Sequence, residues 1–372
     1  ASANLAVKNG STSGGAAAFY EDSDNGSNYT ALKGASSISN DVTWVLPSAD
    51  GSSGQFMSTN GSGTLSWGSV SAELGDLSNA LDNDNSLYLG NDPSSSISSN
   101  TAEHNAAFGK TALDAITDGD RNTAIGYDAL TNNTEGFDNV ALGYQALKSN
   151  QTGDRNIAIG RGTLFSNTVD YNVAVGHSAM YANTDGTNNT AFGYNAVYAN
   201  ITGDRNIGIG YASLDNADTE NDNLAIGYDA LGGSIAGGEF NVGIGNYSMD
   251  ALTSGDGNTG IGYNAMTALT TGDGNVSLGR ASGTTITTGS NNTVIGKGAD
   301  VSANGAENQV VIGQGASGQA SNSVVLGNAS VTAVYMAQDK GATAYGATFE
   351  ASTGIIPDAA DGAYLGTTSA EF

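Results

Sequence analysis

A five-residue phrase of Asn, apolar, small, apolar and Gly recurs through most of the chain, and its spacing restricts the fold more than any other feature. The Asn falls at 105, 122, 139, 156, 172, 189, 206, 223, 241, 258, 275 and 292. The Gly four residues later falls at 109, 126, 143, 160, 176, 193, 210, 227, 245, 262, 279 and 296, and again at 313. Gly109 to Gly313 spans 204 residues, twelve steps of 17 in which single steps of 16 and 18 cancel. A last step of 14 reaches Gly327, and Asn85–Gly90 reads as an earlier copy that opens the array.

A typical unit runs Asn122-Thr123-Ala124-Ile125-Gly126-Tyr127-Asp128-Ala129-Leu130, then a polar stretch such as Thr134-Glu135-Gly136. Alternation of Thr123, Ile125 and Tyr127 with Ala124 predicts a strand. A second apolar pair follows at constant offset (Ala129-Leu130, Ala146-Leu147, Ala196-Val197), and the remainder, such as Thr152-Gly153-Asp154-Arg155, is turn chemistry. Such a unit is too short for a helical crossover and buries no core alone, so the units must stack as a parallel β-solenoid of about 13 coils. Stacked strands lie about 4.8 Å apart, which puts Ile125 over Leu142 over Ile159 as the expected inner apolar ladder. The Asn residues are expected to tolerate left-handed backbone and to ladder with their stacked copies. Ala107, Ala124, Ala141, Ala158, Ala174 and Gly208 then fall on the opposite face. A run of such small residues, which continues through Ala191, Ala225, Gly243 and Gly260, is read as the close approach of a symmetry-related chain, with crowding inside one thin coil as the alternative.

Composition narrows the function. Gly is 54 of 372 residues without a three-residue period, so collagen is excluded. The absence of Pro between Pro93 and Pro357 suits an unbroken hydrogen-bond ladder. Net charge is −26, with 37 acidic and 11 basic residues and no basic cluster, which argues against nucleic acid and against an anionic membrane surface as partners. Cys is absent, so disulfides and thiolate metal sites are ruled out. No apolar stretch approaches the ~18 residues of a membrane span, and the start, Ala1-Ser2-Ala3-Asn4, does not read as a signal peptide.

The Asn-x-Ala-Ile-Gly-x-x-Ala units resemble the head repeats of YadA-type trimeric autotransporter adhesins, over roughly residues 85–330. The 17-residue form with Ala-Leu and Thr-Gly-Asp resembles phage tail fibres. The N-terminal segments Leu32-Lys33-Gly34-Ala35, Val42-Thr43-Trp44-Val45-Leu46-Pro47 and Thr59-Asn60-Gly61-Ser62-Gly63-Thr64-Leu65-Ser66-Trp67 are similar to a module of phage fibres that adhesin heads do not usually carry. Tyr364-Leu365-Gly366-Thr367-Thr368-Ser369 resembles a segment that precedes the C-terminal module of such fibres. The resemblance implies an all-β, left-handed parallel β-roll in a homotrimeric fibre, a virion and extracellular location, and a role in host attachment. Its implied partners are other virion tail proteins and a host cell-surface glycan or protein. A bacterial adhesin head and a polysaccharide-degrading tail spike are the alternatives.

The implied organisation is a β-rich fibre module over residues 1–69, a linker or short helix over 70–84, the repeats over 85–330 and a C-terminal β-module over 331–372. Leu74, Leu77 and Leu81 supply the helical spacing, while Val334-Tyr335-Met336 and Thr343-Ala344-Tyr345-Gly346 read as strands. No catalytic, cofactor-binding or metal-ligating residue is assigned, and the chain is not expected to be an enzyme. His104 and His177 read as surface or loop residues, and Asp118 with Asp120 as turn residues rather than a glycosidase pair. Ca²⁺ in turns carrying Asp118, Asp120, Asp154, Asp204, Asp256 and Asp273 is the one ion considered, since hard oxygen ligands suit it. Arg121, Arg155 and Arg205 beside those aspartates are expected to neutralise the ladder weakly.

Overall fold

The structure, a computed structural model, describes residues 16–20, 29–33, 45–53, 55–60, 62, 64–69, 80–83, 85–90, 93, 101–332, 334, 366–367 and 370–371. It divides into two units, Ala1–Ser78 and Asn79–Phe372. The smaller unit holds two antiparallel pairs, β1 (Ala16–Tyr20) with β2 (Tyr29–Lys33) and β3 (Gln55–Thr59) with β4 (Leu65–Ser69). In the second pair Met57 lies opposite Trp67, whose indole Nε1–H donates to Ala49 O at 2.8 Å.

The larger unit is a parallel β-solenoid. Strands β6 (Ser86–Leu89), β7 (Ala106–Phe108) and onward to β20 (Val324–Leu326) stack in sequence order. Each pairs in parallel with the next, for example Thr123↔Val140, Ala124↔Ala141 and Ile125↔Leu142. The N-terminal end is closed by β5 (Ala80–Asn83), which pairs antiparallel with β6. Leu81 therefore lies in a strand, not in a helix; Leu74 and Leu77 fall outside the described residues. A two-strand antiparallel pair, β21 (Gly366–Thr367) with β22 (Ala370–Glu371), lies near the C-terminus. Of the other C-terminal strand expectations, Val334 lies outside any strand, and Tyr335, Met336 and residues 343–346 fall outside the described residues. No helix occurs among the described residues.

One expectation about these strands is reversed. Ala107, Ala124, Ala141 and Ala158 are fully buried, whereas Phe108, Ile125 and Leu142 are 47 %, 42 % and 42 % exposed. The small residues face the core and the large ones face out. The reason is how little room a 17-residue coil encloses. The strand packs directly on the second apolar column, where Leu113, Leu130, Leu147, Leu164, Met180 and Val197 are fully buried. A Cβ built on Gly208 would meet Val197 Cγ2 at 2.5 Å, and one on Gly243 would meet Leu231 Cγ at 3.0 Å. Crowding inside a thin coil, not a neighbouring chain, therefore selects Ala and Gly in this column from Ala107 to Gly260, whereas Tyr88, Val294 and Val311 are buried in it nearer the two ends.

Two further columns hold the coils together. Each Asn is buried; Asn122 N–H donates to Asn105 Oδ1 and Asn122 Nδ2 to Gly136 O, both at 2.8 Å. In the first copy the ladder position is taken by Ser86, not Asn85, and Ser86 Oγ accepts Asn105 N–H at 2.9 Å. The strand-end glycines stack backbone on backbone: Gly126 has φ 136°, and a Cβ there would lie 2.5 Å from Gly143 O. Only glycine suits that conformation and that contact.

Candidate functional surface

The strand face is an extended apolar surface of the solenoid. Its two outward columns run from Ala106, Thr123, Val140 and Ile157 to Val324, and from Phe108, Ile125, Leu142 and Ile159 to Leu326. Phe192 is 58 % exposed, and Ile207, Ile209, Val276, Leu278 and Ile312 are exposed with it. Neither column contains an Asp or Glu, although the chain has 37 of them. Exposed patches of this extent mark interaction surfaces.

Each strand runs across this face, so its two ends define two edges. The edge following the glycine carries Lys110, Tyr127, Tyr144, Arg161, His177, Tyr194, Tyr211, Tyr228, Asn246, Tyr263, Arg280, Lys297 and Gln314. Every one of these side chains can donate a hydrogen bond and none is acidic. The aromatic members stack along the axis: Tyr194–Tyr211 and Tyr211–Tyr228 have centroids 5.1 and 4.9 Å apart and rings within 7° of parallel. Stacked this way, the rings cover one another's faces and present edges and hydroxyls to solvent. That geometry does not offer the open ring faces on which a sugar would stack.

The opposite edge precedes the Asn ladder and carries Glu103, Asp120, Asp154, Asp170, Asp204, Glu239, Asp256, Asp273 and Glu307. Here the carboxylates knit neighbouring coils: Asp154 Oδ1 accepts Phe137 N–H at 3.0 Å, and Asp273 Oδ1 accepts Asp256 N–H at 2.9 Å. The next residue along is Arg or Asp in several units, and Arg121 Nε reaches Asp138 at 2.6 Å and Arg205 Nε reaches Asp222 at 2.7 Å. The Arg121 hydrogen bond holds Asp138 below the usual carboxylate range against a smaller opposing effect of burial, and Arg205 does the same for Asp222. Asp154 is pushed up, first by burial and then by the neighbouring charge of Asp170.

Of the aspartates considered as ion ligands, Asp120, Asp154, Asp204, Asp256 and Asp273 share this edge, whereas Asp118 stands two positions earlier in its turn. Among the described residues no three His, Asp or Glu side chains gather as metal ligands. His104 sits on the acidic edge, with Nδ1 3.8 Å from Glu103. His177 sits on the donor edge, stacked on Tyr194 with centroids 5.2 Å apart. Its Nε2 lies 3.0 Å from Arg161 Nη1 and its Nδ1 2.9 Å from Ser178 Oγ. Arginine has only donors, so in this arrangement Nε2 accepts and Nδ1–H donates. Arg161 thus stands where a Ser–His pair would need a carboxylate to orient the ring and stabilise the imidazolium. The repeat period alone did not reveal these edges; they emerge when positions on either side of the strand are read down the columns.

No known family model matches the chain, and no curated protein is detectably similar to it.

Proposed function

We propose that the chain is a structural fibre protein of a phage virion, a homotrimeric tail fibre that attaches the particle to a glycan or protein on the host-cell surface. In this reading the N-terminal module lies toward the virion and its other tail proteins, the solenoid forms the shaft, and the C-terminal region lies toward the host. The protein acts outside the cell and catalyses no reaction.

The observation that carries the proposal is the uncovered, acid-free strand face running the length of the solenoid. A single-chain rod with that face in water would be poorly soluble, whereas three copies around one axis would cover it. The N-terminal phage-fibre resemblance favours a tail fibre over an adhesin head. The covered ring faces of the tyrosine ladder count against a polysaccharide-cleaving spike.

Light scattering of the purified chain is expected to give the mass of three chains, and a monomer would overturn the trimeric fibre. Immunogold labelling is expected to decorate virion tails. Decoration of bacterial surfaces instead would favour the adhesin, and release of sugar reducing ends from capsule or lipopolysaccharide would favour the spike.

A further inference from the structure

Charge is distributed across the strand face with a polarity. Within residues 101–332, Arg121, Lys148, Arg155 and Arg205 each lie within 4.0 Å of a carboxylate. The remaining Lys and Arg there (Lys110, Arg161, Arg280 and Lys297) form no such ion pair, and all four stand on the donor edge. The acidic edge lies on the other side of the same face. At one level of the solenoid the two edges correspond at a constant offset: Glu103 with Lys110, Asp154 with Arg161, and Asp273 with Arg280, each seven residues apart. The same offset relates Asp120 to Tyr127, Asp170 to His177, Asp204 to Tyr211 and Asp256 to Tyr263. Along the acidic edge Oδ1 of Asp154, Asp256 and Asp273 is used by a backbone N–H, which leaves the second oxygen for an outside donor.

We infer that copies of this chain pack parallel and in register, the donor edge of one copy meeting the acidic edge of the next while the apolar columns turn toward the common axis. This rests on the homotrimer proposed above and specifies its orientation and contacts. Rotation about an axis along the solenoid places the leading edge of one copy against the trailing edge of its neighbour, so Arg280 comes level with Asp273 of the partner subunit. An antiparallel face-to-face pair brings like edges together, cation to cation and carboxylate to carboxylate, which opposes association. The extent of the face is sufficient. Fourteen steps at about 4.8 Å and a strand roughly 10 Å wide give on the order of 650 Å² per copy, close to the ~800 Å² per partner of a standard stable interface.

The test is made on the full chain by sedimentation at low salt. The donor-edge pair Arg161→Glu with Arg280→Glu, and separately the acidic-edge pair Asp154→Lys with Asp273→Lys, are each expected to weaken association roughly tenfold or more, and all four together to restore most of it. Circular dichroism of each variant checks folding. A second measurement uses the otherwise wild-type chain, whose lack of Cys permits one spin label at Gln314→Cys. Parallel packing places labels on different copies within about 35 Å, and antiparallel packing separates them by about 58 Å, twelve coils at ~4.8 Å each. A monomeric wild type overturns the trimer and this inference together. A multimer indifferent to the reversals, or one with distant labels, leaves the trimer standing and overturns the edge pairing.

Discussion

At the scale of single residues, a coil this thin makes buried polar side chains unavoidable, and the Asn ladder satisfies them. Asn139 shows why: it is fully buried, its Oδ1 accepts Asn156 N–H at 2.9 Å, and its Nδ2 donates to Gly153 O at 2.8 Å. Asn139→Ala leaves the buried Asn156 N–H unmet, whereas Gly153 O keeps a donor in Asn150 Nδ2 at 2.9 Å. For one such group the expected loss is about 1–3 kcal/mol. It should appear as a lowered thermal midpoint and as faster hydrogen exchange at the Asn156 amide; an unchanged midpoint would mean that water enters and replaces the side chain. The recurrence of this Asn was plain in the sequence, but part of its role was not. The left-handed backbone falls on the preceding residue, at Arg121, Asp138 and Arg155 (φ 55°, 57° and 55°), and not on the Asn. Sequence spacing locates a turn to within a residue or so, whereas hydrogen-bond geometry decides which residue bends.

At the scale of the coil, period and strand placement were legible because stacking demands identical register in every unit. The facing of the strand was not, since alternation distinguishes two faces without saying which is inside. The Leu and Met column settled that, by occupying the space a large strand residue would have needed. The acidic residues show a second limit. Asp215 lies in the turn after the Leu column, and its pKa rises to about 6, first because burial disfavours its charge and then because Asp229 repels it. Asp229 is itself raised by burial and by the charge of Asp250. A carboxyl whose folded pKa lies above its unfolded value costs stability wherever it is ionised, so the cost is present above about pH 6 and disappears as pH falls toward the unfolded value of 3.8. Asp215→Asn is therefore expected to raise the thermal midpoint at pH 7–8 and to lose that advantage near pH 4. A midpoint gain of equal size at both pH values would show that the effect is not electrostatic.

For the solenoid as a whole, stability is built from near-identical neighbours, each coil contacting mainly the one above and the one below. The backbone bonds follow this rule at equivalent positions, with Thr123 N–H to Asn139 O at 2.8 Å and Leu130 N–H to Ala146 O at 3.0 Å recurring along the array. A whole unit should then be removable where a fraction of one is not. Deleting residues 189–205, one full 17-residue period, joins Asn188 to Asn206 and places Ile207 over Val173, with every inward and outward position preserved. The shortened chain is expected to keep its β-sheet circular dichroism and nearly its thermal midpoint, and to contract by about 4.8 Å in scattering profiles. Deleting eight residues from the same place moves the Asn and Leu columns out of line. With residues 189–196 removed, the turn residues Asp204 and Arg205 fall where Ala196 and Val197 were buried, and that chain is expected not to fold past the cut. Equal tolerance of both deletions would mean that the columns do not set the register, and with them would fall the alignment of the two charged edges. Equal intolerance would point instead to stability that depends on specific coils, for which the stacking seen here provides no reason.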